Sequence, residues 1–155
     1  MAIKKLTDIN FWRRTGRNAR DIYKDIVFEK GKVGKTGIKY LAGKYSDAYK
    51  IAKASGKIKR SSGAYRNKVV PVLTGDLQND FGDFLKPRKD GVQLGFPTQG
   101  HKVRMLRKRF GKKGTLTSKS EPLPNKVMNY ITSEYSKYIK RNQKNTTRVH
   151  KIGRK

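Results

Sequence analysis

The sequence predicts an α+β fold: a small antiparallel sheet packed with helices, with long N-terminal helices and a basic C-terminal tail. Three observations carry this. Stretches at 4–29, 36–54 and 124–140 repeat apolar residues every three to four positions, the period of a helix buried on one face. The run Gly91-Val92-Gln93-Leu94-Gly95-Phe96 alternates instead, which is the period of a strand. The stretches between them are rich in Gly, Ser and Lys and have no period.

Composition limits what these elements can build. A chain of 155 residues suits one domain with arms. Its apolar share of 34% lies below the ~45–50% usual for globular domains, so the core is expected to be small. Lys and Arg total 39 against 11 Asp and Glu, a net charge of +28. Such a charge repels itself, so a partner of opposite sign is expected. Nucleic acid, an acidic protein surface and an anionic membrane all have the right sign. The absence of cysteine excludes disulfides, thiolate metal sites and cysteine nucleophiles. No apolar run approaches the ~20 residues that span a bilayer, and no membrane partner is expected. Residues 1–5 resemble the start of a signal peptide, but Asp8, Asn10, Arg13 and Arg14 break the apolar stretch that should follow. A cytoplasmic product is expected.

In chain order, 4–29 reads as a helix capped by Thr7 or Asp8, with Phe11, Ala19, Ile22, Tyr23 and Ile26 on one face. Gly16 weakens it by ~1 kcal/mol relative to alanine and marks a break. Trp12, the sole tryptophan, is read as a core or interface anchor in preference to a base-stacking ring. Gly31-Lys32-Val33-Gly34-Lys35-Thr36-Gly37 ends like a Walker A loop. That motif needs glycine where Glu29 stands and a strand where a helix is predicted, so the stretch reads as a flexible linker. A second helix is expected over 36–54, with Ile38, Leu41, Ala42, Tyr45, Ala48, Tyr49 and Ala52 as its apolar stripe. Lys39, Lys44, Lys50 and Lys53 are assigned to its other faces. Residues 55–68 form a basic loop with Lys57, Lys59, Arg60, Arg66, Lys68 and one aromatic, Tyr65.

The centre of the chain is 69–81. Val69 to Leu73 is β-branched and apolar, and Pro71 holds Val70 extended. Thr74 stands where a helix N-cap belongs, Gly75 follows, and Asp76 suits the first turn. Leu77, Phe81 and Phe84 then share a helix face. Residues 83–90 read as a polar turn containing Pro87, with 84–85 as hairpin partner to the 91–96 strand, whose Val92, Leu94 and Phe96 face one way. A helix over 101–110 carries Val103, Leu106 and Phe110 on one edge and Lys102, Arg104, Arg107, Lys108 and Arg109 on its cationic back. Residues 112–120 are a loop. Pro124 opens a last helix to about 140, with Val127, Ile131, Tyr135, Tyr138 and Ile139 inward. The divisions expected are a helical, basic N-terminal region or arm (1–68), an α+β core (69–141) and a disordered basic tail (142–155) holding Arg148, His150, Lys151, Arg154 and Lys155.

Catalytic chemistry has few candidates. His101 and His150 lie in basic stretches without a second histidine at ligand spacing. Asp76, Asp80 and Asp83 share a helix face and are numerous enough for Mg²⁺. Their preferred reading is a favourable charge at the helix start and pairing with lysines of neighbouring chains. No Gly-x-Ser-x-Gly elbow occurs. No enzyme, cofactor or metal is expected.

The segment Pro71-Val72-Leu73-Thr74-Gly75-Asp76-Leu77, together with Leu94-Gly95-Phe96 and Phe110-Gly111, resembles small tailed-bacteriophage tail-completion or head–tail joining proteins over about 69–139. Lys108-Arg109 stands where that family often has a His-Gln pair. The resemblance implies a virion structural protein, made in the host cytoplasm. It would be a ring-forming subunit of the neck, head–tail connector or tail-completion region, assembling on the portal or an adjacent ring. Pro71, Thr74, Gly75, Leu77, Phe81, Leu94, Gly95 and Phe96 are then its motif and core. Its partners would be copies of itself, portal, adaptor or tail proteins, and genomic DNA through non-specific contact. Lys57, Lys59, Arg60, Arg66, Lys102, Arg104, Arg107, Lys108, Arg109, Arg148, Lys151 and Arg154 are the partner- or DNA-contacting cations. A basic nucleic-acid-binding protein of ribosomal or nucleoid type is the alternative. The charge and eight tyrosines suit it, but no RNP aromatic pair, zinc finger or clear helix-turn-helix is present.

Overall fold

The structure is a computed structural model. It describes residues 8–36, 38–39, 47–57, 76–83, 85–110, 116–117 and 123–152, without the side chains of 38–39, 82–83, 109–110 and 143–152. The described elements are α1 (Ile9–Lys24), a π-helical turn (Asp25–Glu29), β1 (Lys32–Val33), β2 (Ile38–Lys39), α2 (Asp47–Ala54), α3 (Asp76–Asp83), β3 (Leu85–Arg88), β4 (Gly91–Leu94), α4 (Gly100–Phe110) and α5 (Asn125–Ile152). The architecture is α+β, as expected: helices around small antiparallel pairings, β1 with β2 and β3 with β4.

Helix α1 is the central element. Asp8 is its N-cap, its carboxylate accepting from the Asn10 and Phe11 backbone N–H groups at 2.9 and 3.0 Å. The other oxygen of the same carboxylate accepts from the Tyr138 hydroxyl at 2.8 Å, which ties the start of α1 to α5. These bonds, that from Phe11 first, hold the Asp8 carboxyl below its ordinary value. The two helices run antiparallel, because Trp12 stacks on Tyr135 (5.8 Å, 20°) while Asn18, further along α1, reaches the Tyr130 hydroxyl at 2.8 Å. Trp12 is therefore an anchor inside the fold. Its indole N–H is buried without an acceptor.

Gly16 does not break α1. A Cβ there would sit 2.6 Å from a Val92 methyl and 2.7 Å from a Leu85 methyl, so the glycine lets the helix press directly on the β3–β4 hairpin. The hairpin pairs Leu85 with Leu94 and Pro87 with Val92. Leu85 thus pairs with the second strand as expected, while 86–88 are strand where the sequence predicted a polar turn. In a two-stranded sheet every strand is an edge, so Pro87 withholds no ladder bond that a third strand would need.

The widened turn after α1 buries three residues in succession, Ile26, Val27 and Phe28. Val33 follows into the core, fully buried. Within the Gly-Lys stretch expected to be a linker, Lys32 and Val33 instead form a strand paired with β2, Val33 opposite Ile38. Gly34 takes φ +79°, the left-handed conformation that glycine adopts freely. The Lys35 carbonyl in the loop accepts the Asn125 N–H at 2.8 Å, satisfying an orphan donor at the start of α5.

Two further expectations are corrected. The helix predicted over 36–54 is replaced at its start by β2, and helix is described only from Asp47. Periodicity there assigned Lys53 outward; it is 3% exposed, while Ile51 is 67% exposed. Desolvation draws the Lys53 ammonium below its ordinary value. The tail expected from 142 is the continuation of α5 to Ile152. Its Asn, Gln and Thr content suggested disorder, but the helix is already nucleated by the turns packed on α1, so each added residue only propagates it. The division at 68/69 does not part the molecule either. Ala19, Tyr23, Ile26, Val27, Phe28 and Val33 share one core with Leu77, Phe81, Val103, Leu116 and Val127.

Tyr23 sits in the middle of that core. Its ring stacks on Phe81 at 3.9 Å and 22°, with Phe28 and Phe96 set edgewise at 6.2 and 6.4 Å. The hydroxyl accepts the Thr117 N–H at 3.2 Å. Burial disfavours the phenolate and pushes Tyr23 up to about 12 from 10.0.

Two outcomes are expected. Gly16→Val should destabilise the fold by about 1–3 kcal/mol in urea unfolding, because the added carbons overpack a closed contact. The Tyr23 contribution is complete below the unfolded value near pH 10 and is lost as pH rises toward about 12. Wild-type stability should therefore fall more steeply across that window than that of Tyr23→Phe. Parallel curves would show that Tyr23 does not stay neutral in the fold.

Candidate partner interface

The motif positions that the structure describes converge. Leu77 and Phe81 are buried on α3, and Phe81 lies 5.0 Å from Phe96. Leu94 and Phe96 are half-buried against the same core, and Gly95 is the bend between them. Pro71, Thr74 and Gly75 lie outside the described residues, as do Phe84 and Tyr65. The spacing of Leu77 and Phe81 therefore reads true as a packing face.

A carboxylate then fixes what leaves this core. Asp80, on α3 and 8% exposed, accepts from the Thr98 N–H at 3.1 Å, from the Thr98 hydroxyl, and from the Gln99 N–H at 2.8 Å. Thr98 and Gln99 immediately precede α4, and the Gln99 carbonyl accepts the first helical bonds, from Lys102 and Val103. A negative charge thus holds the amino end of α4, where the helix dipole favours it. Asp76 at the other end of the same face lies 3.6 Å from Lys102 Nζ. Asp76 and Asp80 orient α4 within this chain, where the sequence suggested lysines of neighbouring chains; the side chain of Asp83 is not described. Among the described residues no group of three or more His, Asp or Glu is placed to hold a metal ion. Asp80 was misread because its partners lie 18 and 19 residues away. Thr98, a good capping residue just before an apolar period, is the signal that a cap was needed there.

With Val103 buried and Leu106 half-buried, the opposite face of α4 is fixed outward. His101, Arg104, Met105 and Lys108 are exposed at spacings of three, one and three, a single stripe with Met105 67% exposed at its centre. Lys102 and Arg107 flank it, half-buried. Of the remaining predicted cations, Lys57 is exposed after α2, and Arg109, Arg148 and Lys151 lie on helices whose side chains there are not described. Lys59, Arg60, Arg66 and Arg154 lie outside the described residues. The structure thus groups the exposed cations of 101–108 on one face of α4.

The solvent face of α5 is also basic. Lys137, Lys140 and Arg141 are exposed, and Lys137 pairs with Glu134 at 2.7 Å. Among the described residues no helix is long and apolar enough to cross a membrane. No family model, curated protein or solved structure matches this chain.

Because Asp80 closes a helix end from inside the core, Asp80→Asn should cost about 1.5–3 kcal/mol of unfolding free energy, the range for a hydrogen bond to a charged group. Asp21→Asn, which removes one partner of an exposed ion pair with Arg20, should stay within ~0.5 kcal/mol. Equal losses in chemical denaturation would remove the clamp from the account of α4.

Proposed function

We propose that the chain is a virion structural protein, a ring-forming subunit of a phage neck, head–tail connector or tail-completion region that assembles on the portal or an adjacent ring. What supports this reading is one coincidence. The apolar positions of the resembled motif that the structure describes, Leu77, Phe81, Leu94 and Phe96, meet in one core, and the same helix aims the basic face of α4 outward through Asp80. A ring subunit needs this combination: a rigid centre and a charged face held in fixed orientation. Complementary charge speeds encounter and fixes register with an acidic neighbour. Met105 adds an apolar contact at the middle of the cationic stripe, and a methionine adapts to an irregular protein pocket.

The nucleic-acid reading rests on the charge of +28, which any polyanion satisfies. Exposed Met105 gives it no help, since phosphates offer an apolar side chain nothing.

Cross-linking mass spectrometry on nuclease-treated native material separates the two. Cross-links to itself and to portal or tail proteins are expected; links only to ribosomal or nucleoid proteins would sink the virion reading. Two variants carry it further. Leu77→Asp puts a charge in the core and should abolish particle assembly through loss of the fold. Arg104→Glu with Lys108→Glu should leave folding within about 0.5 kcal/mol, as exposed changes do, yet stall assembly. Normal particles from the double variant would exclude α4 as the contact.

A further inference from the structure

The basic charge of α5 differs in kind from that of α4. The amino end of α1 is level with Tyr138, since the Asp8 cap accepts from the Tyr138 hydroxyl. From Tyr138 the helix runs on to Ile152, about 21 Å at ~1.5 Å per residue. After Glu134 the sequence has no acidic residue. Lys137, Arg141, Lys144, Arg148 and Lys151 follow one another at spacings of four, three, four and three, so by helical register they share one face. The position of that face is fixed where side chains are described: Lys137, Lys140 and Arg141 are exposed, while Tyr135 and Tyr138 on the other side meet Trp12 and Phe11. No aromatic residue follows Tyr138, and no apolar residue interrupts the stripe between Lys137 and Lys151.

We propose that this stripe of α5 is a binding site for the phosphate backbone of duplex DNA, read by charge and not by sequence. Cations one helical turn apart meet phosphates along a strand, and each contact releases a counterion. A single strand is the poorer ligand, because its binding uses aromatic rings on which bases stack, and the stripe has none. An acidic protein patch is poorer too, because protein interfaces are depleted in lysine and centre on aromatic side chains and arginine, whereas three of these five cations are lysine and no aromatic ring lies among them. The choice of DNA over RNA duplex rests on the virion reading; the charge geometry does not depend on it.

The test uses the full chain, a fluorescent duplex of about 25 base pairs and anisotropy at several salt concentrations. Arg141→Gln/Lys144→Gln/Arg148→Gln is compared with Lys32→Gln/Lys86→Gln/Lys89→Gln, which removes the same charge at exposed lysines assigned to neither basic face. Glutamine keeps helix propensity, and circular dichroism checks that α5 persists. The α5 triple should lose about a hundredfold in affinity at 0.15 M salt, and its log–log salt slope should shrink by about 3. The control should lose less than about fivefold, since unbound charges beyond ~8 Å are screened. Lys144→Arg should retain binding. Equal losses in the two triples, an unchanged slope, or tighter binding of a single strand or an RNA duplex of the same length would overturn the proposal. The particle-assembly and cross-linking readouts for α4 are separate from all of these.

Discussion

The described fold depends on how Tyr23 is enclosed. It lies on α1, yet its ring contacts Phe81 of α3, Phe96 beyond β4 and Phe28 of the π turn, while its hydroxyl takes the Thr117 N–H. Each of these elements is too short to be stable alone. Strands of two and four residues and helices of eight gain their order from the surface they bury together. One aromatic side chain joins α1 to α3, to the π turn and to the segments at Phe96 and Thr117.

The charged residues divide by depth. Asp8 and Asp80 lie where a backbone end needs an acceptor, one at α1 and one before α4, and each also reaches a second element. These clamps, Asp80 buried and Asp8 half-buried, spend two of only eleven acids in the chain on holding helices. The excess of cations is left at the surface, on α4 and α5, where self-repulsion is relieved by solvent or by a partner. The two surfaces are unlike. On α4 a methionine stands amid cations beside a rigid core; on α5 a polar helix face carries cations alone. Protein contact suits the first and a phosphate ladder suits the second.

Much of this was legible from residue order. The face formed by Leu77 and Phe81, the alternation at 91–96, the 101–110 helix and the Asp8 cap follow from local periods and capping chemistry. Where reading failed, the cause was distant. Val33 sits alone among glycines and lysines, so no period marks it, yet it is fully buried. Leu116 is likewise an isolated apolar residue in a polar stretch and is 1% exposed. Gly16 read as a flaw in a helix because its reason, the methyls of Val92 and Leu85, lies some 70 residues on.

The sequence by itself determined the class of fold, the sign of the charge and the helices with strong periods, since composition and spacing act over a few residues. Only the tertiary structure decided that the N-terminal helix is core and not arm, that Asp80 serves α4, and that Met105 stands exposed amid the cations of α4. Those outcomes depend on contacts between residues far apart in the chain, and a burial period shows which face a helix hides without showing against what.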